Sequence, residues 1–180
     1  MMRITGGRLS GRGVKTPKTG KTRPTQAVVR EAIFQIAPVE ERHVLDLFAG
    51  SGIVGLEALS RGAARSTFVD QSSLCARTIA QNVELLHLQD AIRIYRKEVF
   101  SFLTTWKEQA DFIYIDPPYA LDSLEQKMER LVALLLDRGS LRSGGIVFLE
   151  LPPHAFFTPP GRLRSKKRIY GNTVIWEMRL

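Results

Sequence analysis

Two short stretches carry residue types that could do chemistry together. The first, Asp46-Leu47-Phe48-Ala49-Gly50-Ser51-Gly52, follows the apolar run His43-Val44-Leu45 and precedes Ile53 to Leu59. That order reads as a buried strand, a glycine-rich turn and a helix N-terminus. It makes a cradle for a nucleotide-like ligand, because glycines admit close approach to the backbone and the free N–H groups of a first helical turn point outward. The second, Asp116-Pro117-Pro118-Tyr119, follows the apolar strand Phe112-Ile113-Tyr114-Ile115. Two prolines fix φ and remove two N–H donors, so the turn is stiff and its carbonyls are free to accept. An exocyclic amine on a planar ring has two N–H bonds. The Asp116 carboxylate and the Pro117 carbonyl could each accept one, and Tyr119 could stack on the ring. In a doubly wound sheet both stretches lie at the carboxyl ends of parallel strands, where such folds bind ligands.

The first stretch also opens a G-x-G-x-x-G pattern, Gly50-Ser51-Gly52-Ile53-Val54-Gly55, and Asp70 lies 20 residues after Gly50. Taken alone, the pattern fits a nicotinamide dinucleotide, or a turn needed only for tight strand–helix packing. Asp46 weighs against the dinucleotide, because a carboxylate at the strand end repels a pyrophosphate. It suits a ligand bearing an ammonium and a sulfonium. S-adenosylmethionine has both, with a ribose whose hydroxyls Asp70 could clamp.

The elements that must position these residues alternate from His43 onward. Strands are expected over 44–47, 66–69, 91–95, 112–115 and 146–149, and helices over 53–60, 74–86, 99–106 and 123–136. Such alternation argues for a parallel sheet with helices on both faces. The end departs from it: 163–170 and 174–178 read as two strands around the hairpin turn Gly171-Asn172, so the sheet closes with an antiparallel hairpin. Upstream, Ala27, Val28, Ile33, Phe34 and Ala37 give a helical apolar stripe, with Thr25 as N-cap and Pro38 as terminator. Residues 1–24 hold too few apolar side chains for a core. They read as a basic extension, with weak strands over 2–5 and 12–16 and a loop over 17–24, appended to a main domain over 25–180.

The net charge of +8 is unevenly placed. Residues 1–30 carry +8 with no acid and residues 161–180 carry +5, which leaves −5 on the middle of the chain. An acidic-leaning body with two basic ends suggests that the ends contact a polyanion. The single cysteine, Cys75, permits no internal disulfide and points to a reducing, cytoplasmic compartment. No signal-peptide core and no membrane-length apolar run is present. His43, His87 and His154 lack metal-ligand spacing, so no metal is expected.

The two motifs together resemble the cofactor and amino-methylation motifs of class I S-adenosylmethionine-dependent methyltransferases. Four further stretches resemble the RsmD family in particular: Arg3-Ile4-Thr5-Gly6-Gly7, Arg23-Pro24-Thr25, Val29-Arg30-Glu31 and Gly55-Leu56-Glu57-Ala58-Leu59-Ser60-Arg61. That family methylates the N2 amine of one guanine in bacterial 16S ribosomal RNA. The resemblance implies an α/β fold: a Rossmann-like sheet of seven mostly parallel strands with a C-terminal antiparallel hairpin, and an N-terminal β-hairpin extension. It implies that Asp46, Gly50, Ser51 and Gly52 hold the methionine part of S-adenosylmethionine, that Phe48 is among the cofactor-binding residues, that Asp70 binds the ribose and that Gln71 lies next to the adenine. Glu98-Val99 occupies the place after the third strand where the family usually has an aspartate near the adenine amine. Asp116, Pro117 and Tyr119 would face the guanine. Arg3, Arg8, Arg12, Arg23, Arg30, Lys166 and Lys167 are expected on RNA, and the arm with Arg23 and Arg30, near the active site, on RNA phosphate or the cofactor's carboxylate. The implied reaction is a direct in-line displacement by the amine, with neither a metal nor a covalent enzyme intermediate. The implied partner is 16S ribosomal RNA within the small ribosomal subunit or a late assembly intermediate, and a monomer is expected. The second motif alone also permits adenine N6 in RNA or DNA, or a protein glutamine. A nucleotide-dependent oxidoreductase and a non-catalytic RNA-binding protein are the remaining readings.

Overall fold

A computed structural model of the chain describes residues 2–17 and 26–180. Seven strands form the main sheet: β3 (His43–Leu47), β4 (Arg65–Val69), β5 (Ile92–Tyr95), β6 (Ala110–Ile115), β7 (Leu141–Leu151), β8 (Arg164–Tyr170) and β9 (Thr173–Arg179). Their order is β5-β4-β3-β6-β7-β9-β8. Neighbours from β5 to β7 run parallel, and β9 is antiparallel to both β7 and β8. All five residues of β3 are buried, as a central parallel strand covered on both faces requires.

The topology makes the site. The chain builds outward from β3 through β4 to β5, then returns to place β6 on the other side of β3. This reversal opens a crevice at the carboxyl ends of β3 and β6. The register Leu47↔Ile115 brings the ends of the two motif-bearing strands side by side, and the Asp116 N–H donates to the Leu47 carbonyl at 3.4 Å.

Side-chain alternation divides the core. Val44, Phe68, Phe112, Tyr114, Ile146 and Phe148 face α1 (Ala27–Ile36), α2 (Ile53–Ser60) and α3 (Ser73–Leu86). Leu45, Leu47, Ile113, Ile115, Val147 and Leu149 face α4 (Val99–Thr105) and α5 (Leu124–Asp137). The strand expected over 146–149 is only the apolar centre of β7, whose first turn-like residues, Arg142 to Gly144, are exposed yet continue the strand. A register shift between Ala110 and Phe112 accommodates them.

The N-terminal extension forms a small antiparallel hairpin, β1 (Met2–Arg3) and β2 (Gly13–Val14). It lies along α2. Ile4 and Val14 enter the core of that face, at 1% and 0% exposure. At the hairpin tip, the Arg8 N–H donates to the Ser60 carbonyl at 2.8 Å, and the Ser60 hydroxyl donates to the Gly6 carbonyl at 2.6 Å. The extension is thus packed into the body of the protein. The expected N-cap Thr25, Arg23 and all of the expected loop after Pro17 lie outside the described residues. Gln26 stands at the N-cap of α1 without a side-chain capping bond.

Two assignments on α1 are corrected. Val28 is 51% exposed, whereas its neighbour Val29 is fully buried. Arg30, expected on RNA, is only 3% exposed. It lies one helical turn before Ile33 and Phe34 and therefore shares their inward face.

Candidate active site

A cavity of about 1080 Å³ opens at the crevice. Its walls include Asp46, Phe48, Gly50 and Ser51 after β3, and Asp70 and Gln71 after β4. Glu98 and Val99 after β5, and Asp116, Pro117 and Tyr119 after β6, complete them. The expected cofactor and amine residues therefore meet in one space. Gly52 is the exception; it stands behind the wall as the left-handed N-cap of α2, with φ 77°. The N-cap glycine has no side chain to cap the helix, and of the first-turn N–H groups Asp46 takes that of Gly55, which leaves those of Ile53 and Val54 for a ligand. Gly55, the last glycine of the pattern, has a packing task. A Cβ there would come within 2.3 Å of the Phe68 ring, so glycine lets α2 lie close on β4.

Asp46 is 2% exposed, and its carboxylate accepts from the Gly55 N–H at 3.1 Å. Burial raises its pKa to about 8; the Gly55 bond opposes that rise and the neighbouring Asp70 charge adds to it. Among the described residues no cation pairs with Asp46. A buried acid without a protein counter-charge beside an open cavity matches a cationic ligand group. Asp70 is held in place by the Gly50 N–H at 2.9 Å and the Ser72 N–H at 2.8 Å. Each of its oxygens retains a lone pair for a ribose hydroxyl. This donor set fits S-adenosylmethionine, whose ammonium would answer Asp46 and whose ribose would meet Asp70.

Glu98 has a local task that its sequence position did not announce. It is the N-cap of α4, and its two oxygens accept from the Phe100 and Ser101 N–H groups at 3.0 and 2.8 Å. The carboxylate is thereby aimed by the helix start, with Val99 buried beside it.

The wall around the second motif contains residues that the sequence did not single out. Glu150, at the end of β7, is 3% exposed and reaches the cavity. It accepts from the Tyr114 hydroxyl, from the Tyr119 hydroxyl at 3.4 Å and from the Thr173 hydroxyl at 3.5 Å. The available signal was an acid flanked by Leu149 and Leu151 at the end of an apolar strand. Met2, Thr16 and Pro17 also line the cavity, so the open end of the hairpin forms part of its rim.

The hairpin is tied to the cofactor turn through Asn82 on α3. Its side chain accepts from the Lys15 N–H at 2.8 Å and donates at 3.0 Å to both the Lys15 and the Ser51 carbonyls.

The cations expected on RNA separate into two groups. Arg3, Arg8 and Arg12 are exposed along the hairpin, and Lys166 and Lys167 on the edge strand β8. Arg30 is inside, its Nε donating to Glu57 at 2.9 Å and its guanidinium also to the Arg3 carbonyl at 2.8 Å. Arg61 and Thr5 complete the Glu57 shell. Burial would raise the Glu57 pKa, but the bonds from Thr5, Arg30 and Arg61 outweigh it and hold the carboxyl below the usual glutamate range. Arg30 thus anchors the hairpin from inside the protein.

The chain is similar to known proteins along most of its length. Residues 2–179 match the family model described as conserved hypothetical protein 95. The chain is 36% identical over 185 residues to the Bacillus subtilis protein named "Putative rRNA methyltransferase YlbH", covering 97% of this chain and 96% of that one. It is 34% identical over 151 residues to the ribosomal RNA small subunit methyltransferase D of Escherichia coli K12, covering 83% and 74%. The solved structure titled "Putative methyltransferase yhhF from Escherichia coli" superposes with a TM-score of 0.83 at 28% identity, covering 99% of this chain and 97% of that one.

Proposed function

The chain belongs to the conserved hypothetical protein 95 family, the RsmD family of class I methyltransferases, and from that premise we propose that it methylates the exocyclic N2 amine of a guanine in 16S ribosomal RNA. Its cofactor is S-adenosylmethionine, which supplies a methyl group activated by the sulfonium to which it is bonded. Methylation of ribosomal RNA is the reaction that the relatives' names give. The guanine N2 target rests on the resemblance to the RsmD family, since the second motif alone also permits adenine N6.

One observation carries the reading: the uncompensated acid Asp46 and the amine-accepting turn Asp116-Pro117-Pro118-Tyr119 share one cavity on adjacent strands. In this scheme Asp46 holds the cofactor's ammonium. Asp70 holds its ribose, with Gln71, Glu98 and Val99 around the adenine. Asp116 and the Pro117 carbonyl accept the two N–H bonds of the target amine and turn its lone pair toward the methyl group. The acceptors strengthen their hold as the amine becomes cationic, so rate comes from orientation and from fixed negative charge. The base has to leave its stack to enter the cavity, and Tyr119 replaces a stacking neighbour. Arg3, Arg8 and Arg12 on the hairpin, with Lys166 and Lys167 on β8, guide the RNA backbone on either side.

The test is transfer of labelled methyl to small ribosomal subunits lacking the modification, and in parallel to naked 16S RNA, followed by digestion to nucleosides. N2-methylguanosine is the expected product, with the subunit as the better substrate. N6-methyladenosine would retain the enzyme class and overturn the target.

A further inference from the structure

We propose that Glu150 is a positioning residue for this reaction, holding the Tyr119 ring in its stacking orientation through the phenolic hydroxyl. The proposal rests on the reading of Tyr119 as the base-stacking residue. Glu150 is buried at the end of β7 and borders the same cavity as Asp116. Its carboxylate collects hydroxyls from three elements: Tyr114 in β6, Tyr119 in the loop after β6, and Thr173 at the start of β9. Tyr114 is fully buried, so one side of the carboxylate is fixed by the core. The other oxygen is shared by the half-buried Tyr119 and by Thr173.

The physical need is plain. Pro117 and Pro118 stiffen the backbone of the turn, but they do not set the side-chain torsions of Tyr119. A hydrogen bond at the far end of the ring does. The 3.4 Å separation is long for such a bond, and contacts of this kind tighten when substrate is seated. The Tyr114 and Thr173 hydroxyls are the carboxylate's structural partners, and Tyr119 is the partner that belongs to the amine-accepting turn.

The experiment compares wild type, Tyr119→Phe, Glu150→Gln and the double variant. Single-turnover methyl transfer to the small subunit, the KM for that substrate, the affinity for S-adenosylhomocysteine and the melting temperature are measured for each. Each single variant is expected to slow transfer about tenfold, the effect of one hydrogen bond to a charged group. Cofactor affinity and substrate KM should stay within about twofold. The double variant should be no slower than the slower single, because both remove the same contact. Tyr119→Phe at wild-type rate, or losses that multiply in the double variant, would overturn the proposal. The ring-carbon NMR signal of the Tyr119 hydroxyl-bearing carbon gives a readout independent of substrate. It should shift in Glu150→Gln, and an unchanged signal would also overturn the proposal. Product identity is read in the same reactions. A different methylated nucleoside would therefore sink the guanine N2 reading while leaving the rate comparison, and the Glu150 role, intact.

Discussion

Asp46 and Glu57 stand at the two ends of one turn–helix unit, both nearly or fully out of water at 2% and 0% exposure. The protein answers their charges in opposite ways. Glu57 receives Arg30, Arg61 and Thr5, and its pKa falls below the usual range in spite of burial. Asp46 receives one backbone N–H, and burial lifts its pKa to about 8. The first arrangement is scaffold: it fastens the N-terminal hairpin and α1 to α2. The second has no cation among the described residues, and the proposed scheme gives it the cofactor's ammonium. A buried carboxyl that the protein supplies with cations holds the fold together, whereas one that takes up a proton beside a cavity is a candidate to receive a cationic ligand.

The sharpest way to break this contrast is Asp46→Asn. Affinity for S-adenosylhomocysteine should fall about a hundredfold, the loss of a charge-assisted bond in a dry site. Calorimetry should show the wild type releasing protons on binding at pH 7, because the ligand's ammonium favours the ionised form of a group whose pKa is about 8 in the free protein. The variant should lose that release. Unchanged affinity would mean that Asp46 is not the ammonium site.

Next in size is Glu57→Gln, which leaves Arg30 buried with a weakened partner. Stability should drop by about 3 kcal/mol, a fall of about 8 °C in melting temperature, with cofactor affinity at low temperature nearly unchanged. The contribution of Glu57 in the wild type is present above its unfolded pKa and disappears as pH falls through its lowered folded pKa.

The pH dependence of Asp46 runs the other way. Its folded pKa is raised, so the folded state binds the proton more tightly. The stabilising contribution is full below the unfolded value of 3.8 and is lost as pH rises to about 8. The ligand-free Asp46→Asn protein should therefore gain melting temperature over wild type between pH 5 and pH 8. The difference should reach on the order of 5 °C and level off above. A difference that does not grow with pH would contradict the assignment.

The smallest effects belong to the exposed cations. Lys166→Ala with Lys167→Ala should raise the KM for ribosomal RNA a few-fold and lower the salt slope of binding by about two. Cofactor affinity should not move.

Much of the fold was legible because the sequence repeats strong local signals. The helix expected over 53–60 is α2 residue for residue, and the reversed last strands follow from Gly171-Asn172. The cavity walls were legible because chemistry there needs rare residue types after apolar strands. Arg30 and Glu150 were not. Each is a charged residue on an inward face, and its partners are far away in the chain: Arg30 meets Glu57, and Glu150 meets Tyr114 and Tyr119. Periodicity places a side chain on a face without saying whether a distant partner awaits it there. The basic run at the start of the chain drew Arg30 into the surface group. Gly144 and Gly145 lie within β7, so the strand expected from Ile146 begins earlier, at Leu141.

The most direct test of the division of labour within the cavity is single-turnover methyl transfer by Asp116→Asn beside its affinity for S-adenosylhomocysteine. If β3 holds the cofactor and the turn after β6 orients the amine, the rate should fall at least about a hundredfold, with cofactor affinity within about twofold of wild type. A rate near that of wild type would contradict the amine-orienting role. A loss of cofactor affinity equal to the loss of rate would instead place Asp116 in the cofactor site.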